Sequence, residues 1–309
     1  MQSRMPISEP NLVFATPRKL PRAQNVPGRV VVLDLAFASE ASGGGFEGIT
    51  LPFIKSVGSR LAAWVDHHDH TEHARFRSDP RFILSTKAEH GACPELITPA
   101  VVQSAGPVQS IVCHPDFDGL ASAAKWIRGG EEPYPGCDDD ARCIDTRMGT
   151  PSAAANTIDR ALRARPRDRA LFGIVVRYLV ASLDDSLREK IEEASQELNA
   201  IDATTRRLAL GYVRLAPGIA VVDITGHTAA VDKTQLLLLG QEREGIAMVI
   251  DGDSVTLATR FDAGIDLLKM LGLSGGMPTR VSVPRKRLDQ VCTALGIRSI
   301  DLDAVIALG

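Results

Sequence analysis

Leu61-Ala62-Ala63-Trp64-Val65-Asp66-His67-His68 is a short apolar run that ends abruptly in a carboxylate and two imidazoles. It is too short for a typical helix and apolar at successive positions, which suits a strand of a parallel sheet covered on both faces. Two other segments read the same way. Val30-Val31-Val32-Leu33 is β-branched and ends at Asp34. Ser110-Ile111-Val112-Cys113 ends in His114-Pro115-Asp116-Phe117-Asp118-Gly119. Phe82-Ile83-Leu84 is a fourth candidate strand.

Helical stretches lie between and after these strands. Pro94 suits the first turn of a helix whose apolar face is Leu96, Ile97, Ala100 and Val101, stopped by Gly106-Pro107. Another helix runs from Gly119 to Arg128 and is closed by Gly129-Gly130. Ser152–Ala164 and Leu171–Ala181 are helical in pattern. Leu187, Ile191, Ala194, Leu198 and Ile201 mark a long amphipathic helix that starts near Asp184, with Ser186 and Glu189 placed for a capping box. Strand–helix alternation of this kind predicts an α/β fold with a mainly parallel sheet. From about residue 206 the pattern changes to short strands, Ile219–Val222, Ile246–Ile250 and Ser254–Ala258, with helices over Thr234–Leu239 and Ile265–Leu271. The expected organisation is an extended proline-rich arm over 1–28, an α/β domain over 29–185, a linker helix over 186–205 and a smaller α+β domain over 206–309.

Composition narrows the function. The 309 residues carry 35 basic and 38 acidic side chains, a net charge of −3, which gives no bulk electrostatic pull toward nucleic acid. No apolar run approaches a membrane span, and no secretory core opens the chain. The five cysteines, Cys93, Cys113, Cys137, Cys143 and Cys292, are scattered without zinc-ribbon spacing. Free thiols in a cytoplasmic protein are the expectation.

In parallel sheets, ligands gather at the carboxyl ends of the strands. Asp34, Asp66-His67-His68 and His114-Asp116-Asp118 all fall there. Hard divalent cations such as Mn²⁺ or Mg²⁺ take carboxylate oxygens, and Mn²⁺ also takes imidazole. A pair of ions is expected, one facing His114 and Asp116, the other Asp118 and His67, with Asp34 between them. Gly119 lets the chain turn sharply into a helix whose N-terminus favours anions.

These residues resemble the DHH phosphoesterase superfamily. Asp66-His67-His68 resembles its signature, His114-Pro115-Asp116-Phe117-Asp118-Gly119-Leu120-Ala121-Ser122 its first motif, and Asp34 its second. The C-terminal part, with Arg260 and Ser274-Gly275-Gly276 leading into Thr279-Arg280-Val281-Ser282-Val283, is similar to the domain that accompanies DHH domains. The likeness covers about residues 29 to 309, with two departures. The His-x-Asp-x-Asp motif follows the DHH motif here, an order that implies a circularly permuted sheet. Met277 stands where the family's glycine motif continues into a histidine. The resemblance implies two-metal hydrolysis of a phosphodiester or phosphomonoester in a nucleotide or short oligonucleotide. Asp66 and His68 would be catalytic, with His68 on the phosphate. Asp34, His67, His114, Asp116 and Asp118 would be metal ligands, and Arg260, Arg280, Gly275 and Gly276 would hold substrate. The family's fourth metal ligand falls to Asp184 or Asp185, with Asp145 as competitor.

Plainer roles exist for each. A lone strand-end Asp caps turns, negative charge at 184–185 stabilises a helix start, Gly275-Gly276 ends a helix, and the run Arg160, Arg163, Arg165, Arg167, Arg169 suits a solvated surface. Two rival functions remain. One is a nucleotide-sensing module without turnover. The other is a metallo-β-lactamase-like hydrolase, since His68-Asp69-His70-Thr71-Glu72-His73 approximates that group's His-x-His-x-Asp-His loop. A homodimer is a common default for such a chain.

Overall fold

The computed structural model describes residues 10–40, 44–297 and 302. The first unit is built on five strands: β1 (Asn11–Phe14), β2 (Val30–Leu33), β3 (Leu61–Asp66), β4 (Phe82–Leu84) and β5 (Ser110–Cys113). All pair in parallel, in the order β1-β5-β2-β3-β4. Strand β5 is last in the chain yet sits beside the central β2, with Leu33 in register with Cys113 and, on the other side, with Val65. The ends of β2, β3 and β5 are therefore neighbours despite the order of their motifs.

Alternation along these strands feeds two cores. Val31, Leu33, Ala63, Val65, Ile111 and Cys113 face one. Val30, Val32, Trp64 and Val112 face the other, where Phe37, Phe46, Phe53 and Phe82 pack. Trp64 satisfies its indole N–H on the Leu35 carbonyl at 2.9 Å and meets the Phe37 ring edge-on at 5.3 Å.

Helices α1 (Leu51–Val57), α2 (Pro99–Ala105), α3 (Phe117–Ile127), α4 (Cys137–Thr146), α5 (Ala153–Ala164) and α6 (Arg169–Val180) complete the first unit. Three sequence readings need correction. The segment read as an arm contributes β1, because Asn11–Phe14 finds the open edge of β5. The helix expected from Pro94 to Gly106 is split into a 3₁₀ turn, Cys93–Leu96, and α2. Pro99 forces Thr98 into an extended conformation, and the Thr98 hydroxyl then caps α2. Helix α4 has no counterpart in the reading.

Helix α7 (Asp185–Ala209) joins the units and packs against both α5 and α8 (Lys233–Gln241). Its cap is the Asp184 carboxylate, which accepts from the Ser186 N–H at 2.9 Å, in place of the expected Ser186–Glu189 box. The second unit is a mixed sheet in the order β10-β9-β8-β7-β6, made of β6 (Val213–Ala216), β7 (Ile219–Asp223), β8 (Ile246–Asp251), β9 (Ser254–Thr259) and β10 (Arg280–Pro284). Only β7 and β8 run parallel. Helix α8 covers one face; α9 (Leu267–Met270) and α10 (Leu288–Ala294) cover the other.

The units meet at several places, among them the following two. Arg163 of α5 bonds Asp159 and also Asp232, whose own N–H donates to Thr205 of α7. Asp69 and Gly276 exchange backbone hydrogen bonds of 3.2 and 3.1 Å. Between these contacts a cleft opens. No described helix is long and apolar enough to cross a membrane.

Candidate metal centre

The centre starts from backbone geometry. Asp34 takes a left-handed conformation, φ 54°, directly after β2. That is uncommon for any residue but glycine, although Asp tolerates it better than most. The side chain is 1% exposed, and neither carboxylate oxygen has a hydrogen-bond partner. Burial, then the charges of Asp118 and Asp116, push the carboxyl well above its usual range.

His67 is fully buried at the end of β3. Its Nδ1–H donates to the His90 carbonyl at 2.9 Å, which turns Nε2 toward the acids. Nε2 lies 3.3 Å from Asp34 Oδ1, 3.3 Å from Asp118 Oδ2 and 3.7 Å from Asp145 Oδ2. Burial and the Lys87 ammonium push this imidazole down. The Asp118 and Asp34 carboxylates beside it outweigh them and carry it up to about 10. His68 donates from Nδ1 to Asp66 Oδ1 at 2.8 Å. That pairing outweighs the burial of Asp66 and holds its carboxyl below the usual range. The other oxygen of Asp66 is buried without a partner.

The third strand end supplies His114, whose Nδ1 lies 2.7 Å from Asp116 Oδ2 and 3.8 Å from Asp34 Oδ2. Asp116 also caps α3 through the Gly119 N–H. Burial alone would raise Asp116, but the charge of His114 and its hydrogen bond dominate and hold it far below the usual range. Gly119 is required by space. A Cβ there would lie 2.3 Å from the His114 carbonyl oxygen and 3.0 Å from Asp34 Oδ2.

Three sets of donor atoms have spacings that suit a metal ion: Asp34, His67 and His68; Asp34, His114 and Asp116; and His67, Asp118 and Asp145, all atoms of each set within 4.8 Å of one another. The residues fit a hard divalent cation. The donors are carboxylate and imidazole, both oxygens of Asp34 are orphaned, and a backbone carbonyl presents Nε2 of His67 inward.

The structure thus gathers Asp34, Asp66, His67, His68, His114, Asp116 and Asp118 as the sequence anticipates. It does not bring Asp184 there. Asp184 is an exposed helix cap, and its carboxylate is occupied by Ser186. Asp145, at the end of α4, takes the place beside His67. Lys87 was missed altogether. Its side chain is 2% exposed, its Nζ lies 3.1 Å from His67 Nε2, and it is ion-paired to Asp145. In the sequence, Lys87-Ala88-Glu89-His90 looks like an ordinary solvated turn.

The cleft beside the centre has a volume of about 880 Å³. His68, His114, Asp116 and Asp145 line one side; Arg147, Arg163, Arg260, Thr279 and Arg280 belong to the rest. Arg280 donates to the Thr234 hydroxyl at 3.1 Å, and burial, followed by the charge of Arg147, pushes its guanidinium below the usual range. Arg280 and Arg147, the latter 3.5 Å from the Asp159 carboxylate, face one cavity, an arrangement that suits an anion between them. Arg260 is exposed and forked onto Asp262. Gly275 and Gly276 do not line this cleft. The Gly276 N–H is spent on Asp69, and a Cβ on Gly275, φ 87°, would strike the His70 ring at 2.5 Å. They seal the joint between the units. His70 and His73 pack edge-on against Phe37, at 5.6 and 5.1 Å, and belong to no metal-spaced set among the described residues. That removes the basis for the metallo-β-lactamase-like alternative.

No family model matches the chain, and no curated protein matches it. Among solved structures, the chain is similar to the pGpG-specific phosphodiesterase PggH from Vibrio cholerae, with a TM-score of 0.40 and 12% identity over 92% of this chain and 100% of that one.

Proposed function

We propose that the chain is a divalent-metal phosphoesterase acting on a nucleotide or short oligonucleotide. The observation that carries this reading is the pair of orphaned, buried Asp34 oxygens beside His67, His114, Asp116 and Asp118, next to a cleft that also holds Arg280 and Arg147. The nucleotide class follows from the resemblance to DHH phosphoesterases, and Mn²⁺ or Mg²⁺ from the donor set. Bound between Asp34, His114 and Asp116, such a cation would polarise a phosphoryl oxygen and lower the pKa of water.

The chain's own groups supply the rest. His68, tied to Asp66 through Nδ1, keeps Nε2 for the cleft, where it can give or take a proton at a phosphate oxygen. Arg280 and Arg147, which line the cleft, would hold a second phosphate, and Arg260 would extend that grip at the rim. The test is hydrolysis of short oligoribonucleotides, cyclic dinucleotides and adenosine bisphosphate with Mn²⁺, before and after metal depletion. Metal-dependent release of product is expected from at least one class. Tight, metal-dependent binding with no turnover across the panel would move the assignment to a nucleotide sensor.

A further inference from the structure

The centre has room for two cations by its donor sets, and one of those places is already taken. The Lys87 ammonium contacts two members of the set His67, Asp118 and Asp145: it is ion-paired to Asp145 and lies 3.1 Å from His67 Nε2. A divalent ion of this class sits about 2 Å from its ligands. An ion at that distance from both His67 Nε2 and Asp145 Oδ2 would compete for the two atoms that Lys87 Nζ already touches. It would also press two like charges together in a buried space. Nor is the lysine a surface chain that wandered in. It is 2% exposed, and its backbone N–H faces the Asp69 carboxylate at 3.4 Å.

The set Asp34, His114 and Asp116 is different: no lysine or arginine among the described residues is bonded to it, and the Asp34 oxygens accept no hydrogen bond. On the phosphoesterase reading above, we infer that Lys87 is a built-in substitute for the second metal, so that the centre holds a single exchangeable divalent ion and a fixed ammonium. The ammonium neutralises Asp145 beside His67 Nε2, where a second ion would otherwise be needed.

The count of bound metal tests this without reference to turnover. Metal-depleted chain is titrated with Mn²⁺, desalted and analysed for bound manganese, and its electron paramagnetic resonance spectrum is recorded. The wild type should retain one ion per chain and show the six-line pattern of an isolated Mn²⁺, unchanged up to millimolar Mn²⁺. Lys87→Met should retain two ions per chain with a spin-coupled spectrum, and Mn²⁺ should raise its melting temperature more than that of the wild type. Lys87→Gln gives the same count if the methionine variant does not fold. Two ions in the wild type overturn the inference and leave the phosphoesterase reading intact, as does a single ion in both the wild type and a folded Lys87 variant. A wild type that binds no ion overturns both.

Discussion

The two sides of the cleft are built by different means. On the centre's side, the groups except Asp145 and Lys87 hang from the end of a parallel strand or the first turn after it, and the innermost are buried: Asp34 is 1% exposed, His67 0% and Asp118 3%. Position there is dictated by backbone. The opposite side uses long side chains from a mixed sheet and its loops, Arg260 exposed beside Asp262 and Arg280 reaching in from β10. Preorganised short groups suit charge stabilisation during a reaction, because nothing must move to meet developing charge. Long guanidiniums suit recognition of an anion whose place varies. On the proposed function, chemistry would fall to one side and affinity to the other, and substitutions on the two sides should separate kcat from KM.

The largest effect is expected at Asp34. Asp34→Asn keeps the shape and removes the charge that faces both His67 and His114. Loss of metal-assisted catalysis on the order of 10³-fold, about 4 kcal/mol, is expected in kcat, with weakened Mn²⁺ retention. The metal-free variant should melt no lower than the wild type, because the carboxylate it loses is one whose ionisation burial opposes. Unchanged Mn²⁺ retention would break the comparison at its strongest point.

Gly119→Ala probes the same side through space. The added methyl meets the His114 carbonyl at 2.3 Å and Asp34 Oδ2 at 3.0 Å, so the first turn of α3 must retreat. Overpacking of this kind costs about 1–3 kcal/mol, readable in a urea melt, and metal affinity should fall with it. A variant that keeps both stability and affinity would show slack where the structure has none.

On the other side the effect should appear in KM. Arg280→Ala removes a charged hydrogen-bond donor, and KM should rise about 10- to 100-fold while kcat stays within about threefold. Arg260→Ala, exposed and already paired, should change KM by less than about threefold. If Arg280→Ala instead lowers kcat and leaves KM, the division of labour is wrong, and Arg280 belongs with the reacting atoms.

How much of this was legible follows the same division. The runs Val30–Leu33, Leu61–Val65 and Ser110–Cys113 announce buried parallel strands, and polar residues at their ends are visible because they interrupt apolar sequence. Nothing comparable marks Lys87. Its burial depends on a fold around β3 and α4, and a lysine between Thr86 and Ala88 carries no local pattern that solvent would not explain equally well. Strand β1 was hidden because four residues among prolines form a strand only when an open edge is offered. Gly275-Gly276 misled because a phosphate cradle and a tight joint between domains make the same demand, a backbone without Cβ.

Asp184 is the instructive error, and it yields the smallest predicted effect. Two acids before a long helix satisfy both a metal-ligand reading and a capping reading, and residue type alone does not separate them. The structure separates them by reach. Asp184 spends its carboxylate on the N–H and hydroxyl of Ser186 and is exposed. Asp145 stands 3.7 Å from His67 although the two are 78 positions apart in sequence. A cap is local and reports only on its own helix. Asp184→Ala should therefore lower the melting temperature slightly through the first turn of α7 and leave Mn²⁺ retention, kcat and KM at wild-type values. A loss of bound manganese in this variant would mean that the start of α7 swings into the centre when the ion binds, and the boundary between structural and chemical carboxylates would have to be redrawn.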